Sequence, residues 1–219
     1  MRIALVGGTG ALGTGLAARW GEKHEVLLGS RSLDRAKAAS DKVRSIMADL
    51  NIKANVAPYE NYHAIDRAEV VVLCIAYEQA MAAVRQLIAG FKNQVVISPL
   101  SPMMPINEVF QYIRPREGSA AMQLCQALPK ETEVVSAFQG LPASKLLDVR
   151  RSINFDVPVF TDSGSARKKT FDLIRDIKYL RPLYGGPLEL AHLGEMMGPL
   201  WRSIASLNKM RDPSFKFME

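Results

Sequence analysis

Three glycines spaced as Gly8-Thr9-Gly10-Ala11-Leu12-Gly13 stand between an apolar run, Arg2–Val6, and a stretch with Leu12, Leu16, Ala17 and Trp20 at helical spacing. A G-x-G-x-x-G that follows a strand and opens a helix is suited to holding a diphosphate. The first glycine permits a tight turn, the second lets the backbone approach the phosphates, and the third lets the helix lie close to the sheet. The unpaired N–H groups and partial positive charge of the helix N-terminus then face the anion. No Gly-Lys-Ser or Gly-Lys-Thr follows the turn, which excludes a P-loop.

The next strand, Glu25–Gly29, runs into Ser30-Arg31-Ser32. Sites selective for NAD place an acid here to hold the ribose diol. This strand ends instead on a hydroxyl and an arginine, whose guanidinium grips a phosphate through paired charge-assisted bonds. With Arg35 and Lys37 a turn further on, NADP(H) is the expected dinucleotide. Asp34 is the one nearby acid that would serve NAD if the strand ran longer.

These groups need a parallel sheet to present them. Strand patterns at Arg2–Val6, Glu25–Gly29, Asn55–Ala57, Glu69–Ile75, Gln94–Ser98 and Glu133–Phe138 alternate with helical patterns. The helical patterns are Leu12–Trp20, a stretch from Ser32 or Asp34 to Leu50, Gln79–Ile88 and Ser119–Leu128. Such alternation predicts a Rossmann-type, doubly wound α/β fold with a mostly parallel sheet. Pro99, Pro102 and Pro105 read as a loop; a further strand is expected at Val157–Thr161, and helices at Ala166–Leu180 and over most of Leu188–Met210. The expected division is 1–145 for dinucleotide binding and 146–219 for a small helical C-terminal part completing a substrate cleft. Ligands in such folds lie beyond the carboxyl ends of the strands. Ile75-Ala76-Tyr77, Ser98–Pro102 and Ala137–Pro142 should therefore line the cleft.

Several strings, taken in order, resemble the NADPH-dependent oxidoreductases of the deazaflavin coenzyme F420. They are Met1–Gly13, Gly29-Ser30-Arg31, Val96-Ile97-Ser98-Pro99-Leu100, Ser136-Ala137 with Pro142-Ala143, and Leu180-Arg181-Pro182-Leu183 with Gly186-Pro187-Leu188. The resemblance implies reversible hydride transfer between NADP(H) and F420. It places dinucleotide contacts at Thr9, Gly10, Ala11, Leu12, Ser30, Arg31, Arg35, Ile75, Ile97 and Ala137, beside Gly8 and Gly13 of the turn. It places the deazaflavin against the loop after Ser136-Ala137 and the C-terminal segment near Pro213. The chain departs from the family's pattern at Gln139, where the family has His, and at Ala76-Tyr77, where it has Pro-Trp. Both departures border the second substrate, and they leave open an NADPH-dependent reductase of another small molecule, such as an imine or a ferric complex. A non-enzymatic NADP-binding protein is the third reading.

Hydride transfer between two planar rings asks the protein for placement rather than acid–base groups. Consistent with that, no catalytic triad, carboxylate pair or metal-ligand spacing is evident, and His24, His63 and His192 are isolated. Tyr77 and Gln139 are the candidates for contact with rings or carbonyls. The Glu195–Trp201 segment reads as core, subunit interface or a lid over the second ring. The net charge of +6 suits polyanionic small molecules. Its basic residues are scattered without interleaved aromatics, so nucleic-acid binding is not expected. No apolar run is long enough to span a membrane. Cys74 and Cys125 form no CxxC, and the expected setting is cytoplasmic. A homodimer through the C-terminal helices is the expected assembly.

Overall fold

The apolar strands are the frame. In the computed structural model, which describes residues 1–211 and 213–218, chain order runs β1 (Arg2–Val6), α1 (Ala11–Trp20), β2 (Glu25–Ser30), α2 (Leu33–Ala48), β3 (Val56–Glu60), α3 (Asn61–Arg67), β4 (Val70–Leu73), α4 (Tyr77–Gln86) and β5 (Val95–Ser98). The chain continues through β6 (Met103–Ile106), β7 (Val109–Tyr112), α5 (Ala120–Ala127), β8 (Glu133–Ser136), α6 (Ala143–Leu146) and β9 (Phe155–Phe160). It ends with α7 (Gly164–Arg175), β10 (Leu180–Gly186), α8 (Ala191–Glu195) and α9 (Met197–Leu207).

Eight strands form one sheet in the order β10-β9-β8-β5-β4-β1-β2-β3. The six from β3 to β8 are parallel; β9 meets β8 antiparallel at Phe160 and Ser136, and β10 runs parallel to β9. The chain leaves β1 towards β2 and β3, then returns to β4 on the other side of β1. The crevice outside the strand ends at that reversal is where ligands bind in such sheets.

Strand side chains alternate between two buried faces. Ile3, Leu5, Val70 and Val72 pack with Leu16, Trp20, Val43, Leu146, Leu173 and Ile174 on one face. Ala4, Val6, Val71 and Leu73 pack with Ala64, Ala80, Leu124 and Ala191 on the other. Both faces being covered explains why Val70–Leu73 reads as an unbroken apolar run.

The expected fold class is the observed one, with local differences, among them an added helix, α3, between β3 and β4. The strand expected at Asn55–Ala57 lies at Val56–Glu60. The proline-marked loop holds a two-stranded hairpin, β6 with β7, in which Pro105 stands opposite Phe110. The helix expected through Leu180 stops at Arg175; Tyr179 takes φ 71° and turns the chain into β10. The C-terminal helical stretch is divided at Met196 into α8 and α9.

Candidate active site

The turn between β1 and α1 behaves as its glycines suggest. Gly7 has φ 68°, and its N–H donates to Asn61 Oδ1 at 3.1 Å. Gly8 N–H donates to the carbonyls of Leu5 and Gly29, at 3.0 and 2.8 Å, which fixes the turn to both strands. Gly10 caps α1 in extended conformation with no side-chain hydrogen bond. The amides of Ala11, Leu12 and Gly13 precede the first intrahelical bond, Thr14 N–H to the Gly10 carbonyl. A Cβ on Gly10 would meet no protein atom within 4 Å, so the space over the helix N-terminus is open to an anion. Asn61, which holds Gly7 from α3, carries no signal in the sequence by which to find it.

At the end of β2, Ser30 is buried and its Oγ accepts the Ser32 N–H at 3.2 Å. Ser32 caps α2 by accepting the Arg35 N–H at 3.4 Å. Asp34 does not take the ribose-binding place: it is almost fully exposed and lies 3.9 Å from Lys37. Glu60, opposite Ser30 on β3, lies 3.9 Å from His63. Arg31 and Arg35 are exposed and make no ion pair among the described residues, so both remain available for a phosphate.

A cleft of about 580 Å³ lies beyond the ends of β1, β4, β5 and β8. Its walls are Leu12 of α1, Ile75 to Glu78 after β4, Pro99 to Ser101 after β5, Phe138 and Gly140 to Ser144 after β8, Trp201, Arg202 and Ala205 of α9, and Pro213. Most of the lining residues are flat or branched apolar ones, with polar surface interspersed and Glu78 and Arg202 as the charged members, a mixture that suits planar rings bearing polar edges. A second hollow of about 630 Å³ continues from Ala143 and Ser144 over Thr9, Gly10, Ala11, Thr14, Arg35 and Lys42.

Tyr77 reaches this cleft as expected, and its hydroxyl donates to Gln123 Oε1 at 2.9 Å. Burial, and then the nearby carboxylates of Glu195 and Glu117, push its pKa up, so it stays a neutral donor. Pro213 and Ile75 also line the cleft. Seven expected contacts line neither this cleft nor the second hollow: Gly8 and Gly13 of the turn, Ser30 and Arg31 at the end of β2, and Ile97, Ala137 and Gln139. Ile97, inside β5, and Ala137, the first residue past β8, are wholly buried in the core; Leu100 and Phe138, further along the two loops, line the cleft instead. Gln139 is buried too. Its amide donates to the Ser98 carbonyl at 2.8 Å and to Ser136 Oγ at 2.9 Å, tying the ends of β5 and β8 together behind the cleft.

Two hydrogen-bonded side chains, one half-buried and one buried, shape the walls. The Arg19 guanidinium of α1 donates to the carbonyls of Lys145, Leu146, Asp148, Val149 and Arg151, pinning the loop after α6. Glu195 of α8 is fully buried and accepts the Ala120 and Ala121 N–H groups at the start of α5, each at 2.9 Å, and the Tyr112 hydroxyl at 3.1 Å. Burial raises the Glu195 pKa in spite of those donors. Burial pushes the thiol of Cys74, after β4, up to about 12, which favours its protonated form. His24 sits on the far side from this chemistry, with Nε2 2.8 Å from Asp176. Among the described residues, no group of three His, Cys, Asp or Glu could hold a metal ion. No helix there is long and apolar enough to cross a membrane.

The comparisons with known proteins agree on one family. The pattern of the family described as "NADP oxidoreductase coenzyme F420-dependent" matches residues 2–102. The F420-dependent NADP reductase of Methanocaldococcus jannaschii is 32% identical over 202 residues, spanning 91% of this chain and 90% of that protein. That of Methanothermobacter marburgensis is 30% identical over 220 residues, spanning 99% and 97%. A crystal structure from Arthrobacter sp. FB24, ascribed to an F420-dependent NADP-reductase, superposes with a TM-score of 0.82 over the whole of both chains at 19% identity, which speaks to the fold. Near-full-length similarity at this level, over a chain whose glycine turn and arginine-bearing β2 end are intact, places this protein in the coenzyme F420-dependent NADP oxidoreductase family.

Proposed function

We propose that the protein transfers a hydride between NADP(H) and coenzyme F420, with the diphosphate over the Gly8–Gly13 turn and the 2′-phosphate between Ser30, Arg31 and Arg35. The observation that supports it most directly is the carboxylate-free end of β2, where Arg31 and Arg35 make no ion pair among the described residues and Arg35 lines one hollow with the uncapped N-terminus of α1. The cleft that adjoins this turn is of the size that small-molecule sites have, about 300–1,000 Å³. The cofactors supply the redox chemistry: a hydride leaves the dihydronicotinamide, and the deazaflavin takes it up together with one proton from solvent. The protein's own residues bind and orient. Ile75, Pro99 and Leu100, which line the cleft, would exclude water from the nicotinamide edge, and Trp201 and Pro213 would border the second ring. The division expected from the sequence fits this reading, with 1–145 holding the dinucleotide and 146–219 closing the cleft. Purified protein mixed with NADPH and F420 should bleach the visible band of the deazaflavin, and NADP with reduced F420 should restore it. No change in either direction overturns the assignment.

We further propose that the protein works as a cytoplasmic homodimer. Leu193, Met196, Leu200, Ile204 and Leu207 form an exposed apolar stripe along α8 and α9, which a second copy would cover. The cysteines, Cys74 and Cys125, are both free, as suits a reducing compartment. Sedimentation of a single monomeric species at micromolar concentration would overturn the dimer.

A further inference from the structure

The segment 213–218 is mostly exposed, yet it is tied down at one point. Asp156 of β9 is wholly buried and faces its cross-strand partner, Arg181 of β10. Arg181 Nε donates to Asp156 Oδ1 at 2.9 Å and Nη2 to Oδ2 at 2.7 Å. Oδ2 also accepts the Phe217 N–H at 2.7 Å. The Asp156 N–H donates to the Phe215 carbonyl at 2.9 Å, and Arg181 Nη2 reaches the Phe217 carbonyl at 2.6 Å. The tail therefore lies along β9, held through one carboxylate and its guanidinium.

This attachment leads to the cleft. The Phe215 ring meets Trp201 edge-on at 6.4 Å and Phe155 at 6.3 Å, and Trp201 meets Phe155 at 5.8 Å. Trp201 and Pro213 are themselves cleft walls. A charged group in an apolar strand is costly unless it is paired and hydrogen-bonded. A chain terminus with so little buried surface frays unless it is tied down. The two facts explain each other if the carboxylate is there to hold the tail.

We propose that Asp156 and Arg181 are positioning residues for the second substrate. They hold the C-terminal segment so that Pro213 and Trp201 stand as a fixed wall against the F420 ring. The assignment rests on the F420 reading given above. Neither residue lines the cleft, so their effect passes through the tail.

Two variants test it. Asp156→Asn with Arg181→Gln removes both charges together, so that no unpaired charge is left buried. Phe217→Pro deletes the tail's own donor and leaves the ion pair in place, which keeps the test independent of core stability. Hydrogen exchange at the Asp156 amide reports whether its acceptor, the Phe215 carbonyl, is still there. Both variants should speed that exchange about tenfold and raise KM for F420 about tenfold, with kcat and the NADPH dissociation constant changed less than about twofold. Unchanged exchange, or faster exchange with an unchanged KM for F420, overturns the proposal. A parent chain that turns over no F420 overturns the functional assignment and this one together. That failure is told apart because the unsubstituted protein already shows it.

Discussion

Gly13 stands so close to Gly8 that a Cβ on Gly13 would lie 2.3 Å from the Gly8 Cα. The helix of the phosphate turn thus touches the turn itself, backbone against backbone. Gly10, between them, has no protein atom near the place its Cβ would take. Two glycines of one motif therefore serve different ends, and substitution separates them. Gly13→Ala should cost about 1–3 kcal/mol of stability, because the backbone must shift, and should weaken NADPH as well. Gly10→Ala should change stability by less than about 0.5 kcal/mol while weakening NADPH about tenfold or more. Urea denaturation and calorimetry read the two effects. An equal loss of stability in both variants would contradict this division.

Arg31 tests the choice of dinucleotide. A hydrogen-bonded charge partner is worth about 1.5–3 kcal/mol, so Arg31→Ala should weaken NADPH about 10- to 100-fold. NADH lacks the 2′-phosphate and should change little. Equal losses for the two dinucleotides, measured by calorimetry, would remove Arg31 from the site.

Gln139 tests a correction. Its amide faces the Ser98 carbonyl and Ser136 Oγ rather than the cleft. Gln139→Leu should cost about 1–3 kcal/mol by removing the buried hydrogen bonds that join the Ser98 carbonyl and Ser136 Oγ. Substrate affinity should change less than about threefold. Lost F420 affinity with full stability would mean the amide serves the substrate.

Asp156 gives a pH dependence with a defined sign. The hydrogen bond from Arg181, aided by the Phe217 amide and the nearby positive charges and opposed by burial, holds its carboxyl below the usual carboxylate range. Ionisation therefore favours the folded state. The contribution is complete above the unfolded value, about 3.9, and fades as pH falls through the lower folded value. The stability gap between the parent and Asp156→Asn should be constant from neutral pH down to about 5 and should close in more acid solution. Urea midpoints across that range measure it; a gap that widens in acid would contradict the assignment.

The parts of the molecule legible in the sequence are those where a local pattern has one physical reading. A glycine turn after a strand and before a helix admits little else, and Val70–Leu73 suits only a strand covered on both faces. The hairpin of β6 and β7 and the strand β10 escaped because Pro105 and Pro182 argue against strands. Both lie where proline is tolerated, in a two-stranded ribbon and in the outermost strand. Gln139, Asn61 and Arg19 escaped for another reason. Asn61 and Arg19 have partners 54 and up to 132 residues away, and Gln139 links nearby Ser136 to Ser98, 41 residues away, so the local sequence does not distinguish them from surface polar residues. The Asp156–Arg181 pair is 25 residues apart and becomes adjacent only when β10 docks beside β9.

The single sheet that carries β8, β9 and β10 side by side has a kinetic consequence. Both banks of the cleft are rooted in one continuous slab, so no hinge runs between donor and acceptor, and the reach of the hydride is settled when the chain folds. The C-terminal tail is then a wall whose placement is set by hydrogen bonds rather than by the slab. Changes in it should act on the docking of the second substrate, and so on KM, rather than on the rate of the transfer itself.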